Sequence, residues 1–405
     1  MVMSCKKNIY PKSVNRCFVV LILLCFFSCK SKVVDDGIEP IQILNVDNPL
    51  SVSLQDIVDS VAYIPLETTP ECLIGEIGCI KRDDNFYFVK DRNGLYVFDE
   101  NGHYLNMIGR KGNGPGEYVF MDNFFLDRDN DHVYVIANYM KKVLRYSYAG
   151  EYLGDISLSE NDANIASAMM CGDGEMLAYY PIPNDVFKAD SQYKLLTEAE
   201  GAYTSVSLLP QAPVNSGEAS YNFLYCPMDY FEGKCFFLSV MSNVLHVYEN
   251  GKAVAKYKVD IIDILPSKDF LERHKEDDIF ELRKALQENH IGLGLTKIAS
   301  SGGYLFVTIN YMKTLMWDGK EAVLFSDVMD DNFDLYLSDN FASSDENIRY
   351  CEAALLYESK DEIMNSGNKG LMEVVNKLKV DDNPVICRNY FKKNAIEVLK
   401  RKLEE

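Results

Sequence analysis

Glycine-containing turns recur along the chain at nearly constant spacing, and this repeat limits the fold more than any other feature. The glycines are Gly102, Gly150, Gly201, Gly251 and Gly319, at intervals of 48, 51, 50 and 68 residues. Three of them follow Asn or Asp, which gives the dipeptides of tight β-hairpins. A period of about fifty residues with a hairpin in each unit is typical of four-stranded propeller blades.

The longest interval contains a helical pattern. In residues 267–290, Ser267 is placed as an N-cap, and one helical face carries Leu271, Ile279, Leu282 and Leu286. The sequence therefore predicts a helix inserted between blades. The same spacing in Leu371 to Leu378 and in residues 392–405 predicts short C-terminal helices.

The segment from Ile108 to Tyr118, I-G-R-K-G-N-G-P-G-E-Y, joins two repeat units through a corner with few backbone options. Five marked hairpins leave one blade to be assembled from the two ends of the chain. We therefore predict an all-β, six-bladed β-propeller of four-stranded antiparallel blades over residues 38–405, with the helical insertion near 267–290.

The N-terminus has the pattern of a targeting segment. A basic region precedes an apolar run from Cys17 to Phe27, which ends at Ser28-Cys29 and is too short to span a bilayer. We predict a lipoprotein signal peptide over 1–28, acylation of Cys29 and a tether over 29–37; the alternative is an ordinary signal peptide that happens to end in Cys. Lys30 in place of Asp favours the outer membrane. The basic residues are Lys6, Lys7, Lys12 and Arg16.

Charge and cysteine content limit the partners. The 405 residues carry a net charge of −20, about −24 after removal of residues 1–28, and this excludes nucleic acid as a partner. With Cys29 acylated, seven scattered thiols remain, which do not form a disulfide framework. Only Cys226 with Cys235, and Cys72 with Cys79, are spaced for cross-strand pairing. Buried free thiols are the preferred interpretation for most of the seven.

Three motifs carry a family resemblance: Tyr63-Ile64-Pro65-Leu66-Glu67-Thr68, Ile108-Gly109 through Gly112-x-Gly114-Pro115-Gly116-Glu117-Tyr118, and Asp382-Asn383-Pro384. Together with the Ser28-Cys29 pattern, they resemble the six-bladed β-propeller lipoproteins of Bacteroides-type bacteria, which are similar to NHL-repeat propellers. The resemblance implies the propeller fold and a cell-envelope location. It implies no settled activity and no catalytic residues.

No catalytic residue, metal ligand or cofactor is predicted with a defined role. Asp127-x-Asp129-x-Asp131 resembles the start of a calcium loop, but His132 and Asn138 replace the required Gly and Glu. A polar turn is the preferred interpretation, and a calcium site of Asp, Glu and Asn residues stays open. The five histidines lack ligand spacing, and the chain has no G-x-S-x-G, P-loop or C-x-x-C motif.

Candidate ligand contacts lie in the interblade loops, and they are Arg110, Lys111, Glu117, Tyr118 and Tyr221. The alternative is structural: the glycines shape the turn, Glu117 caps amides, the cations are solvated and the tyrosines are core. We expect the segment before Tyr221 and Ser300 to Gly303 on the same face as Arg110 and Lys111. The predicted function is a binding or interaction module for a glycan, peptide or protein at the membrane. The alternative is a metal-dependent propeller enzyme of lyase or lactonase type, with its site in the central channel.

Overall fold

Runs of β-branched and aromatic residues ended by turns form strands along most of the chain, as their pattern predicts. A computed structural model describes residues 37–172, 174–181, 183, 189–199, 202–211, 224, 226–260, 265–275, 277–329 and 348–405. The predicted signal peptide, over residues 1–28, and Cys29 lie outside these residues. Glu39 to Glu405 form one compact unit, whose main sheets are six blades of a β-propeller.

Blades 1 to 5 each consist of four consecutive antiparallel strands, which confirms the predicted repeat unit. The strands are Ile77–Asp83, Phe86–Asp91, Leu95–Asp99 and Tyr104–Met107 in blade 1; Asn123–Asp127, His132–Ala137, Lys142–Ser147 and Tyr152–Ser157 in blade 2; Ser167–Gly172, Glu175–Tyr179, Ser191–Ala199 and Ala202–Pro210 in blade 3; Met228–Phe231, Lys234–Leu238, Val244–Glu249 and Lys252–Lys258 in blade 4; and Leu295–Ser301, Tyr304–Ile309, Lys313–Trp317 and Glu321–Met329 in blade 5.

The predicted hairpin glycines join the third and fourth strands of their blades. Gly102, Gly150, Gly251 and Gly319 all have positive φ, between 76° and 89°, which glycine adopts without the steric cost that a Cβ imposes. Gly201 lies outside the described residues. These turns confirm the period that the sequence indicates.

Blade 6 closes the ring with strands from both ends of the chain, as predicted. Ile348–Cys351 pairs with Val385–Phe391, which in turn pairs with Val58–Pro65. Within the described residues this blade has three strands, whereas the other five have four consecutive strands. The central strand comes from the C-terminal region, so both chain ends are needed to complete the sheet.

Two of the motifs found in the sequence meet at this closure. Asn383, which is 3% exposed, donates through Nδ2 to the carbonyls of Glu67 at 2.7 Å and Cys72 at 2.6 Å. Its Oδ1 accepts from the Ile74 N–H at 2.9 Å, and its own N–H donates to Thr68 Oγ1. The Asn383-Pro384 motif therefore fixes the segment that follows strand Val58–Pro65.

Seven α-helices lie in the described part of the chain: α1, Leu54–Ile57; α2, Lys268–Arg273; α3, Ile279–Glu288; α4, Ala353–Glu358; α5, Lys360–Asn365; α6, Lys369–Lys377; and α7, Ala395–Glu404. The predicted insertion contains two helices, because each has its own cap. Ser267 Oγ accepts from the Phe270 N–H, and Asp278 Oδ1 accepts from the N–H groups of Phe280 and Glu281. Helices α4 and α5, inserted in blade 6, were not predicted.

An N-terminal strap covers outer strand edges before the chain enters blade 6. Glu39–Pro40 pairs in parallel with the fourth strand of blade 4. Gln42–Ile43 and Leu50–Ser53 pair in parallel with the fourth strand of blade 5. This pairing satisfies edge groups that an open sheet would expose. Helix α7 buries Ile396 and Leu399 in the same cluster as Leu54 and Phe325.

Apolar side chains fill the spaces between neighbouring blades. Phe88 and Val97 of blade 1 pack with Val133 and Leu144 of blade 2, and Ala168 of blade 3 joins a second cluster with blade 2. The alternating strand pattern thus places both blade faces in contact with neighbours. Among the described helices, none combines the length and apolar content that crossing a bilayer requires.

Candidate functional site

The connection between blades 1 and 2 contains the predicted ligand-facing loop, and its polar groups bond largely to one another. Arg110–Lys111 pairs in parallel with Glu117–Tyr118. The Glu117 carboxylate accepts from the Gly114 N–H at 2.9 Å and from Arg110 Nε at 2.9 Å. The Gly114 bond, followed by the Arg110 bond, lowers the pKa of Glu117. Glu117 therefore caps the loop, as the structural alternative holds.

The other predicted contact residues differ in accessibility. The Arg110 side chain is 79% exposed, and the exposed Lys111 donates to the Arg92 carbonyl at 2.9 Å. Tyr118 is 1% exposed, and its hydroxyl donates to the Ile108 carbonyl at 3.2 Å. Tyr221 lies outside the described residues. A ligand-contact role for these residues stays a prediction, with Arg110 and Lys111 the accessible members.

Two glycines let this connection pack against the tyrosines of blade 2. Gly109 has φ +59°, and a Cβ there would lie 2.8 Å from the Tyr146 hydroxyl. Gly116 has φ +69°, and a Cβ there would lie 2.7 Å from Tyr152 Cγ. Both positions therefore require glycine for conformation and for space.

The expectation that Ser300 to Gly303 shares a face with Arg110 and Lys111 is wrong. Gly302 and Gly303 form the turn between the first and second strands of blade 5, whereas Ile108 to Asp122 leads into the first strand of blade 2. First strands run in the same direction around a propeller, so these two segments lie at opposite ends of the channel. The segment before Tyr221 lies outside the described residues.

The first strands of blades 1 to 4 surround a cavity of about 600 Å³ in the middle of the ring. Each contributes residues to the wall, among them Lys81 of blade 1, Phe125 of blade 2, Met169 of blade 3 and Met228 of blade 4. A second cavity of about 640 Å³ lies beside blade 1 and includes Lys111 in its wall. Gly78 and Lys90 line both cavities, so the predicted loop and the channel share a border.

Three acidic residues of the channel wall already accept hydrogen bonds from the protein. Asp229 accepts from the N–H groups of Ser300 at 2.6 Å and Tyr230 at 2.8 Å. Asp122 accepts from the Asn138 N–H, and Asp127 accepts from the Asn130 side chain. Burial raises the pKa of Asp229 and of Asp122. These carboxylates therefore have part of their bonding capacity satisfied.

Two basic residues of the wall have no ion-pair partner in the part of the chain that the structure describes. Within the described residues, no carboxylate lies at ion-pair distance from Lys81 or Lys90; the Lys81 ammonium lies 5.7 Å from the centre of the Phe124 ring. Arg128, by contrast, pairs with Asp83 at 3.5 Å. Tyr179 is 1% exposed and lines the cavity, and its hydroxyl has no hydrogen-bond partner in the described structure. Asp129, the fourth acid of the wall, is exposed to solvent, so the less exposed groups without partners are mainly hydrogen-bond donors.

The channel also contains two thiols. Cys79 and Cys226 line the cavity, and burial raises the pKa of both, that of Cys226 to about 11. All seven cysteines of the described region are free. The spacing of Cys72 with Cys79 and of Cys226 with Cys235 therefore does not lead to disulfides.

The acidic triplet forms the polar turn that the sequence favours. Asp127 ends the first strand of blade 2, and His132 begins the second. Across the described ranges, no group of three or more His, Cys, Asp or Glu side chains could hold a metal ion.

Sequence reasoning missed Lys81, Lys90 and Tyr179. One signal was present: Lys81 follows the apolar half of the strand Ile77–Asp83, which precedes the first predicted hairpin, and begins its charged end. A basic residue in the innermost strand of a blade faces either a neighbouring blade or the channel. Only the geometry of the closed ring shows which of these two directions the side chain takes.

Comparison with solved structures supports the fold. A protein of Bacteroides fragilis, described as exported, has 17% identity and a TM-score of 0.63, over 88% of this chain and 99% of that one. A Bacteroides vulgatus member of the DUF4221 family has 10% identity and a TM-score of 0.48, over 83% and 97%. A streptogramin B lyase has 13% identity and a TM-score of 0.38, over 67% and 74%. The last two similarities are too weak to support an argument.

No curated protein matches this sequence. A family profile does: the one described as a domain of unknown function, DUF4934, matches residues 39–388. That range begins at the first strand of the strap and ends within the strand that closes blade 6. The chain therefore belongs to the DUF4934 family.

Proposed function

We propose that this protein is a binding propeller of the cell envelope whose ligand occupies the central channel. The observation that carries the proposal is the cavity of about 600 Å³ lined by the first strands of four blades. Cavities of about 300–1,000 Å³ are the usual size of sites for small organic ligands. The rigid blades would hold the wall residues in place, and the interblade loops with Arg110 and Lys111 would flank the entrance.

A channel-filling substitution tests the location of the site. Gly78 lines the cavity, its φ lies outside the positive region, and a Cβ there would meet only Lys90 atoms at 3.7 Å and 4.0 Å. Gly78→Trp should occupy the cavity, and Gly78→Ala is the matched control.

A library of oligosaccharides, short peptides and organic acids would be screened by thermal shift, and hits confirmed by calorimetry. Ligands should bind wild type and Gly78→Ala, and lose at least tenfold in affinity in Gly78→Trp. Hits that bind all three proteins equally would place the site outside the channel.

We further propose that Cys29 carries the lipid anchor, supported by the basic region, apolar run and Ser28-Cys29 of the N-terminus. Cys29→Ala should release the protein from membranes, as measured by fractionation. An unmodified Cys29 in the mass spectrum of wild type, with unchanged fractionation of the variant, would contradict the anchor. In the described structure no specific observation favours the metal-dependent enzyme, so binding is the function that we propose.

A further inference from the structure

The channel cavity has a polar wall and an apolar wall, and this division indicates the chemistry of its ligand. Lys81 and Lys90 are contributed by blade 1. Apolar side chains of blades 3 and 4 and of the segment between them line the other side, and these are Met169, Leu224 and Met228. Methionine side chains adapt to apolar surfaces of varied shape.

The polar groups of the channel wall favour a ligand that accepts hydrogen bonds. The half-buried ammonium groups of Lys81 and Lys90 supply several donors, and no carboxylate of the described residues pairs with either. Three of the four wall acids, Asp122, Asp127 and Asp229, already accept hydrogen bonds from the protein, and the fourth, Asp129, is exposed to solvent. A positively charged ligand would therefore meet two ammonium groups without ion pairs in the described structure, and three of the acids already have part of their bonding capacity used.

Tyr179 gives an independent indication that a ligand completes this site. Its ring packs against Tyr193, with centroids 5.2 Å apart. Tyr179 lines the cavity, and its buried hydroxyl has no hydrogen-bond partner in the described structure. A buried hydroxyl without a hydrogen bond costs free energy, whereas an acceptor in the cavity would satisfy it.

We propose that the channel binds an amphipathic organic acid, with its acidic group at Lys81 and Lys90 and its apolar body against the methionines of blades 3 and 4. This inference rests on the proposed function, since it requires the channel to be the ligand site. It extends that function by fixing the sign of the charge and the polarity of the ligand.

Matched probes test the charge. Naphthylacetate and naphthylacetamide have the same apolar body and nearly the same shape, and only the first is an anion; naphthylmethylamine carries the opposite charge. Calorimetry on the purified protein should show that the acid binds at least tenfold tighter than the amide, and that the amine binds weakest. Naphthyl phosphate distinguishes a carboxylate site from a phosphate site by which acid binds more tightly.

Variants identify the groups responsible. Lys81→Met with Lys90→Met should abolish the preference for the acid while leaving amide affinity within about twofold, because the apolar wall is unchanged. Tyr179→Phe should weaken acid binding several-fold. The lysines have no ion pairs to lose in the described structure, so these variants should retain the wild-type melting temperature within a few degrees. Lys252→Met, at an exposed lysine in the fourth strand of blade 4 that does not line the channel cavity, is a matched control and should retain the preference.

The outcomes separate the two proposals. Equal affinities for acid and amide, tighter binding of the amine, or no binding of any probe would overturn the inference. If acid and amide bind equally and both are lost in Gly78→Trp, the channel is a binding site without selectivity for acids. If Gly78→Trp binds both probes as wild type does, the channel is not the site and both proposals fail.

Discussion

Buried or half-buried asparagine side chains replace regular pairing at several points where segments separated in sequence meet. Asn383 bonds to three backbone groups of residues 67–74. Asn45 bonds to both the N–H and the carbonyl of Leu324, and Asn138 does the same with Ile165. An amide side chain can donate and accept at once, so it imitates a strand neighbour where no strand is present.

Asn383 bonds to more backbone groups through its side chain than Asn45 does at Leu324 or Asn138 does at Ile165. Asn383→Ala would leave the Glu67 and Cys72 carbonyls and the Ile74 N–H without this partner, and each unsatisfied buried group costs about 1–3 kcal/mol. We expect a loss of about 3 kcal/mol or more in the free energy of unfolding, measured by urea denaturation. Asn93→Ala, at an exposed position, is the control and should change stability by less than about 0.5 kcal/mol. Similar losses in both variants would show that the Asn383 network is not stabilising.

His246 predicts a specific pH dependence. It is 9% exposed, it stacks on Phe237 with centroids 5.5 Å apart, and burial lowers its pKa from 6.5 to about 4. Between these values the unfolded chain binds the proton and the folded chain does not. Stability contributed by neutral His246 is therefore present above the unfolded pKa and is lost as pH falls toward the folded pKa.

His246→Phe should remove this dependence. At about pH 5 the protonation of the unfolded state lowers wild-type stability by about 2 kcal/mol relative to neutral pH, and the variant lacks that contribution. Urea denaturation of both proteins at neutral pH and at about pH 5 measures the difference, since other groups titrate equally in both. Identical pH dependences would contradict a buried neutral His246.

At the scale of the element, glycines in two different turns have different roles: Gly251 in the blade 4 hairpin is required for backbone conformation alone, and Gly116 in the connection from Ile108 to Tyr118 is also required for space. Gly251 has φ +76°, and a Cβ there would have no neighbour within 4 Å, whereas Gly116 has φ +69° and a Cβ there would lie 2.7 Å from Tyr152. Gly251→Ala should cost about 1–2 kcal/mol, from backbone strain alone. Gly116→Ala should cost about 1–3 kcal/mol more, because Tyr152 must move.

A double-mutant cycle checks the steric cause. Tyr152→Ala creates space beside Gly116, so Gly116→Ala should cost less in that background by at least about 1 kcal/mol. Thermal denaturation of the four proteins measures the coupling. Additive effects would mean that Tyr152 does not set the limit at Gly116.

Elements with local signals could be predicted, and elements that depend on ring geometry could not. Asn250-Gly251 and Asp318-Gly319 fix hairpins by their own turn chemistry, and Ser267 caps α2 as expected. Helices α4 and α5 escaped prediction because each has only six residues, which is shorter than a reliable helical period. The sequence placed the candidate site at Arg110 and Lys111. Identifying Lys81 and Lys90 as channel residues requires knowing which strand of each blade faces the centre, and this is known only from the closed ring of six blades.

At the scale of the whole molecule, closure of blade 6 should control cooperative folding. Val385–Phe391 is the middle strand of that blade, and α7 buries Ile396 and Leu399 against blade 5 and the strap. Deleting residues 384–405 should abolish the cooperative thermal transition. Truncation after Arg401 removes the exposed Lys402–Asp56 ion pair, which contributes at most about 1 kcal/mol, and should leave the transition intact. A single wild-type-like transition in the longer deletion would show that closure is not required.

The Asn383 side chain bonds to the Glu67 carbonyl, 316 residues earlier in the chain, and this separation sets an order of events during synthesis. The partner of strand Val58–Pro65, Val385–Phe391, is synthesised after all the strands of blades 1 to 5. Strand Val58–Pro65 therefore waits without its neighbour while five blades leave the ribosome. A nascent chain of this topology cannot close its ring early, because the segment that completes blade 6 does not yet exist.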